Sequence, residues 1–376
     1  MDRAIVIHPD LTPYRRIIAV SDIHGNLPFF QGLLRSLRLT REDALVLDGD
    51  LLEKGRESLA LLRCVMALSR EYTVFSLCGN CDGLVLRFFE GDDLDERFFS
   101  FYLPQHPEST LRQLAREGGF DQTEDLPRLR ADLRAAYPRE WSFLRAMPTV
   151  LETEHLVFVH GGVPSLEHME ALERWGCMKN DNFLGQGRRF DKWVIVGHWP
   201  VTLYDPKIPS AAPMILRDRR IISIDGGCVL KWDGQLNALV IPGESGESFS
   251  WLAYDGLPQA VALDPQKANG DTVNIRWGRS ALDLLEAGEE VSLCRHRETG
   301  RVMPILNSYL HRKDGQLWCE DSTDYRLPVT PGDRLTVVAR TARHGTLCKK
   351  NGVTGWYFGR LTDTLEPTDG QTAQDF

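Results

Sequence analysis

No run of the 376 residues approaches the roughly 18 consecutive apolar side chains of a membrane-crossing helix, and the first ten residues hold no apolar signal core. The expectation is a cytoplasmic protein with no membrane partner. An excess of basic charge is missing too. A formal net charge of -9 and a pI near 5.6 exclude a broad cationic face, so no nucleic-acid partner is expected, although a local basic pocket for phosphate stays open. Regular cysteine spacing is also absent. The 8 cysteines are scattered, as suits reduced buried thiols. The C-x-x-C of Cys78 and Cys81 lies in a Gly-Asn turn with no second pair to complete a zinc site.

What is present is a repeated unit of strand, polar loop and helix. The apolar run 17–20 enters Ser21-Asp22-Ile23-His24-Gly25-Asn26, and Phe29, Phe30, Leu33, Leu34 and Leu37 then recur on one helical face. The run 44–47 enters Asp48-Gly49-Asp50 before a helix opening at Ser58, and 72–77 enters Cys78-Gly79-Asn80-Cys81-Asp82-Gly83. Such units imply parallel strands with right-handed crossovers, and ligands of such sheets bind at the carboxyl ends of strands. Residues 84–147 are charge-rich with helical spacing and are expected to form an inserted cap, which either selects substrate or only covers the sheet. Two further strands, 156–159 and 193–196, deliver His160-Gly161-Gly162 and Gly197-His198.

From Ile221 the runs 221–224, 229–232 and 236–241 suggest an antiparallel meander closing a first domain at 1–241. The length, above the about 250–300 residues at which one core stops growing, calls for about two domains. Pro242-Gly243-Glu244-Ser245-Gly246 reads as the linker (242–246), residues 247–365 as a small all-β domain, and 366–376 as a flexible tail.

Taken in order, Asp22 and His24, then Asp50, Asn80, His160 and His198 each follow an apolar strand. A single Asp or His there is common in capped turns. Five strand ends carrying one or two each favour a site for two metals. The spellings D-x-H-G-N, G-D, G-N, H-G-G and G-H over 16–241 resemble the calcineurin-like metallophosphoesterases. The H-G-G box and the G-H followed by Trp-Pro look like the phosphoprotein phosphatase and diadenosine tetraphosphate hydrolase branch.

The resemblance implies an α/β fold: a four-layer α/β/β/α sandwich with the helical insert. It also implies two divalent cations, one held by Asp22, His24 and Asp50, the other by Asp50, Asn80, His160 and His198. Manganese comes first, with iron and zinc also suited to mixed oxygen and nitrogen donors. A water between such cations is acidified to a hydroxide that attacks phosphorus. Separately, Gly332-Asp333 with the strands that follow, through Trp356-Tyr357, resembles the closing half of a bacterial SH3-like domain, which implies a protein or cell-wall ligand.

Three positions depart from the protein phosphatase pattern. Glu53 and Lys54 stand where the family spells Asp-Arg, so the phosphate clamp keeps its charge but loses a bidentate fork. Cys81 stands where the family has its general-acid His, and a thiol with an ordinary pKa of about 8.5 is a weaker donor at neutral pH. Asp82 or Glu53 could substitute as acid if burial raised its pKa, and Lys179 or Arg188 could add to the clamp, although each of these two cations reads first as a solvated surface charge. Trp175 and Trp199 could stack on an aryl group or simply pack in the core.

The sequence thus points to a phosphomonoesterase of phosphoprotein phosphatase type, favouring aryl or phosphotyrosine leaving groups that depart without acid help. Its substrate is then a phosphorylated protein or a small phosphoester. The alternatives are a dinucleoside polyphosphate hydrolase acting on a dinucleotide, and a metal-containing scaffold with weak catalysis.

Overall fold

Alternation along the first strands sets the layering of the computed structural model, which describes residues 2–91, 93–363 and 371–373. After the short strand Val6–Ile7 (β1), strand Arg16–Val20 (β2) turns Ile17 and Ala19 toward a second sheet and Ile18 and Val20 toward a layer of helices. Asp43–Asp48 (β3) repeats the division, with Ala44 and Val46 inward and Leu45 and Leu47 under the helices. Thr73–Leu77 (β4) follows parallel to β3, as β3 is to β2. Helices Leu27–Leu37 (α1), Ser58–Leu68 (α2) and Asn80–Glu90 (α3) come after these three strands. Their ligand-bearing loops therefore share one end of the sheet.

The second sheet collects Val150–Glu152 (β5), Leu156–Val159 (β6), Trp193–Val196 (β7), Met214–Leu216 (β8) and Ile221–Ser223 (β9), in the order β1-β5-β6-β7-β9-β8. Strands β6, β7 and β9 run parallel. Phe158, Ile195 and Ile222 meet Ile17, Val46 and Leu239 between the sheets, and that dry interior holds the two sets of strand ends in a fixed relation.

Residues 84–147 are helical as expected: beyond α3 come Asp93–Gln105 (α4), Thr110–Gly118 (α5), Leu126–Ala136 (α6) and Pro138–Arg145 (α7). Phe99, Leu111 and Leu133 share one core with Phe30 and Leu62, so this segment covers the helical face of the first sheet.

Three expectations change. The meander across 221–241 does not form: 229–232 holds no strand, and the chain passes from β9 in one sheet to Leu236–Pro242 (β10) in the other. Both strands have two buried faces, so their apolar pattern alone leaves the sheet undetermined. The linker at 242–246 is instead part of the connection between β10 and Ser250–Tyr254 (β11), which pair antiparallel from Leu236↔Tyr254 to Val240↔Ser250. Pro, Gly and Ser spell a hairpin connection as readily as a linker. The first unit therefore reaches Tyr254. Of the tail expected at 366–376, Gln371–Ala373 is a strand against β11, and the rest lies outside the described residues.

Beyond β11 the pairing is antiparallel in all three sheets: a four-stranded sheet that includes Arg334–Arg340, Thr346–Lys350 and Val353–Tyr357, a five-stranded sheet within 281–319, and one two-stranded ribbon. This β region is laced to the first unit. Asn274 Nδ2 donates to the carbonyls of Thr202 and Asp205 at 3.0 and 2.8 Å, Arg276 Nη1 to that of Leu203 at 2.7 Å, and Lys349 Nζ to that of Asp233 at 2.9 Å.

Candidate metal centre

The loops after β2, β3, β6 and β7 and the start of α3 converge at one end of the sandwich. Asp22, His24, Asp50 and His198 all have left-handed backbone, with φ of 55°, 51°, 52° and 66°. Non-glycine residues rarely adopt that region, and the main-chain bonds His24 N to Asp50 O and Asp22 N to Gly49 O, both 3.0 Å, hold it here. Gly49, at φ 82°, lets the His160 ring approach: a Cβ there would sit 2.6 Å from it. A Cβ on Gly79 would lie 2.2 Å from the Asp50 amide nitrogen. Crowding thus fixes glycine at both places.

Each histidine is oriented through one nitrogen. His160 donates Nδ1–H to the Asp48 carbonyl at 2.8 Å, and His24 Nδ1 faces the Leu52 carbonyl at 3.4 Å, which leaves Nε2 of both directed at carboxylates. His160 Nε2 lies 3.3 Å from Asp50 Oδ1, and His24 Nε2 lies 3.8 Å from Asp22 Oδ1 and 3.9 Å from Asp50 Oδ2. His198 Nε2 contacts Asp181 at 2.8 Å, so its free donor is Nδ1. Ligand atoms of Asp50, His160 and His198 lie within 4.8 Å of one another, as do those of His24, Asp50 and Cys81.

The electrostatics call for cations. Burial, with Asp225 and Asp50 nearby, pushes the Asp22 carboxyl well up. Burial would raise Asp50 too, but His160, His24 and the Cys81 amide hold it well below the carboxylate range. Burial and His160 push His198 down to about 4, so its ring is a neutral ligand. Asp22 Oδ1, Asn80 Oδ1 and His160 Nε2 are buried without a hydrogen-bond partner. Orphaned donor-set atoms among excess buried carboxylate fit a pair of divalent ions.

The other expected site residues divide. Lys54, Cys81 and Lys179 line the cleft with His24, Asp50 and His198, a cavity of about 340 Å³. Lys54 has no hydrogen-bond or ion-pair partner among the described residues, whereas Lys179 contacts Asp181 at 3.2 Å. Burial, then Asp50, pushes the Cys81 thiol well up. Asp82 is fully buried as a helix cap, accepting from the amides of Gly79, Leu51 and Leu52 at 3.0, 3.3 and 3.1 Å. Glu53 does not line the cleft and accepts from Tyr102 Oη at 2.5 Å and the Thr110 amide at 2.9 Å. Asp82 does not line it either, although burial, and then the neighbouring Asp50, raises its carboxyl to about 7, where it could hold a proton at neutral pH. Arg188 is exposed, donates to the Pro164 carbonyl at 3.2 Å and does not line the cleft; Trp175 lines a separate depression.

Two residues escaped the sequence reading. Asp225, just past β9, is fully buried with one oxygen unpartnered and raises Asp22; Asp-Gly-Gly is also the spelling of an ordinary turn. Asp181 gave no local signal, because its role depends on a loop brought to His198 by the fold.

A family model described as calcineurin-like phosphoesterase matches residues 15–224. No curated protein sequence matches the chain. Similar solved structures include a putative diadenosine tetraphosphatase (19% identity, 67% of this chain and 99% of that one, TM-score 0.42). Others are a protein serine/threonine phosphatase from Saccharomyces cerevisiae (10%, 68% and 84%, 0.41) and a cold-active protein-tyrosine phosphatase of a Shewanella species (16%, 67% and 80%, 0.37).

Proposed function

The chain belongs to the calcineurin-like phosphoesterase family, and on that premise we propose that it is a metal-dependent phosphomonoesterase favouring aryl leaving groups. The observation that carries this reading is the clustering of Asp22, His24, Asp50, Asn80, His160 and His198 at one end of the sandwich, with His24, Asp50, Asn80 and His198 lining the cleft and unpartnered donor atoms among the set. Asp22, His24 and Asp50 would hold one cation, and Asp50, Asn80, His160 and His198 the other. Such a pair supplies Lewis-acid charge at phosphorus and an acidified water. Manganese is the first ion to test.

The remaining residues define what the site can use. Lys54, without a partner among the described residues, binds a phosphoryl oxygen in the cleft as a point charge. Cys81 presents a thiol where an imidazolium would protonate the departing oxygen, so leaving groups stable as anions are favoured. Hydrolysis of dinucleoside polyphosphates would need a longer run of cationic side chains. Asp181, Glu320 and Asp321 on the same cleft oppose a polyphosphate chain, and Lys179 and Lys231 are already paired with two of them.

The test is turnover of an aryl phosphate and of diadenosine tetraphosphate after chelation, with and without added manganese, by wild type and Asp50→Asn. Manganese-dependent aryl hydrolysis lost in Asp50→Asn is expected. No metal-dependent turnover of either substrate would sink the enzymatic reading and leave a metal-containing scaffold.

A further inference from the structure

Trp277 is 72% exposed, yet the backbone that carries it is pinned. The bonds from Asn274 and Arg276 to the carbonyls of Thr202, Leu203 and Asp205 tie the strand before it to the segment just after His198. The Asn274 amide adds a bond to the Pro206 carbonyl at 2.8 Å, and Thr272 Oγ1 one to that of Lys207 at 2.9 Å. The indole stands edge-on to Trp199, with ring centroids 6.3 Å apart and planes at 78°, and both line the cleft that holds His24, Asp50 and Lys54. Leu203 and Leu230 extend this apolar wall, and Trp277 also borders the neighbouring depression at Arg276 and Arg279. A large aromatic surface carried on a pinned backbone, solvent-facing and next to a charged cleft costs hydration unless a ligand covers it.

We propose that the β region beyond Tyr254 completes the substrate cleft, and that Trp277 is a specificity residue whose ring face receives the planar aromatic group of a phosphoester held at the metal centre. This rests on the phosphoesterase reading and names its substrate class from Trp277, which lies outside 15–224, the span the family model matches, packed against Trp199 within it. The perpendicular pair offers one indole face and one indole edge, the two surfaces against which an aromatic ring packs favourably. An alkyl phosphate would leave both bare.

The test separates binding from turnover. Manganese-loaded wild type, Trp277→Ala and Trp277→Phe are titrated by calorimetry with phenylphosphonate and methylphosphonate, which share a headgroup and differ in the ring. Wild type is expected to bind the phenyl compound about 3- to 10-fold more tightly, Trp277→Ala to lose that preference, and Trp277→Phe to regain most of it. Because Trp277 is exposed, unchanged thermal melts should show that both variants fold. A preference that survives in Trp277→Ala, or its absence in wild type, overturns the proposal. The preference without any turnover of aryl phosphate would leave the subsite standing and remove the hydrolytic reading alone.

Discussion

At the residue scale, Asp50 is the hinge of the site, since His24, His160 and the Cys81 amide all converge on its carboxylate. Asp50→Asn keeps the size and loses the charge. Metal-dependent turnover should fall more than about 100-fold with the far-ultraviolet dichroism unchanged, a drop read from initial rates at saturating manganese. Cys81→His should help the slowest substrates most: across phenyl phosphates of rising leaving-group pKa, rates should flatten in the variant relative to wild type. Parallel slopes would contradict the view that expulsion is unassisted. These side chains were legible because each sits within four residues of the end of an apolar run. Asp181 and Asp225 were not, because their importance comes from what the fold places beside them.

At the scale of elements, the helical insertion is fastened to the metal loop through Glu53, which joins Tyr102 of α4 and Thr110 of α5 to the turn after β3. Glu53→Gln should lower stability by about 1–3 kcal/mol, seen as an earlier thermal transition, while the metal affinity of the folded protein stays near wild type. A second fastening is pH-dependent. Burial would raise Asp43, but the Arg16 guanidinium, at 2.7 and 2.8 Å, together with the Thr40 amide and hydroxyl, outweighs it and holds the carboxyl below its ordinary 3.8. With the folded pKa depressed, this contribution is fully present above the unfolded pKa and vanishes as pH falls through the lower folded value. Asp43→Asn should therefore be less stable than wild type at pH 7, with the gap closing below about pH 4 in denaturant titrations. The strand–helix rhythm and the helical insertion could be read from period alone. The sheet assignment of β9 and β10 could not, since strands buried on both faces spell the same pattern.

At the scale of the whole molecule, the β region is docked by charge and main-chain hydrogen bonds. Lys231 pairs with Asp321 across the junction, and both line the metal cleft. The Lys231 and Asp321 side chains are 9% and 18% exposed, so removing one partner strands the other. Asp321→Asn should cost about 1–3 kcal/mol, and hydrogen exchange should rise first in the segment 199–212 under the docked strands; adding Lys231→Met should recover part of the loss. The β-rich composition was visible in the sequence, but the docking was not, because Asn274, Arg276 and Lys349 look like ordinary polar residues of a strand surface.

The pinned backbone that carries Trp277 is made late. All six candidate metal ligands precede residue 199, whereas Trp277 and Asp321 come from chain made later. Synthesis runs from the amino end and domains fold largely as they emerge. A nascent chain can thus assemble the metal-binding loops while the wall that sorts substrates is still being translated.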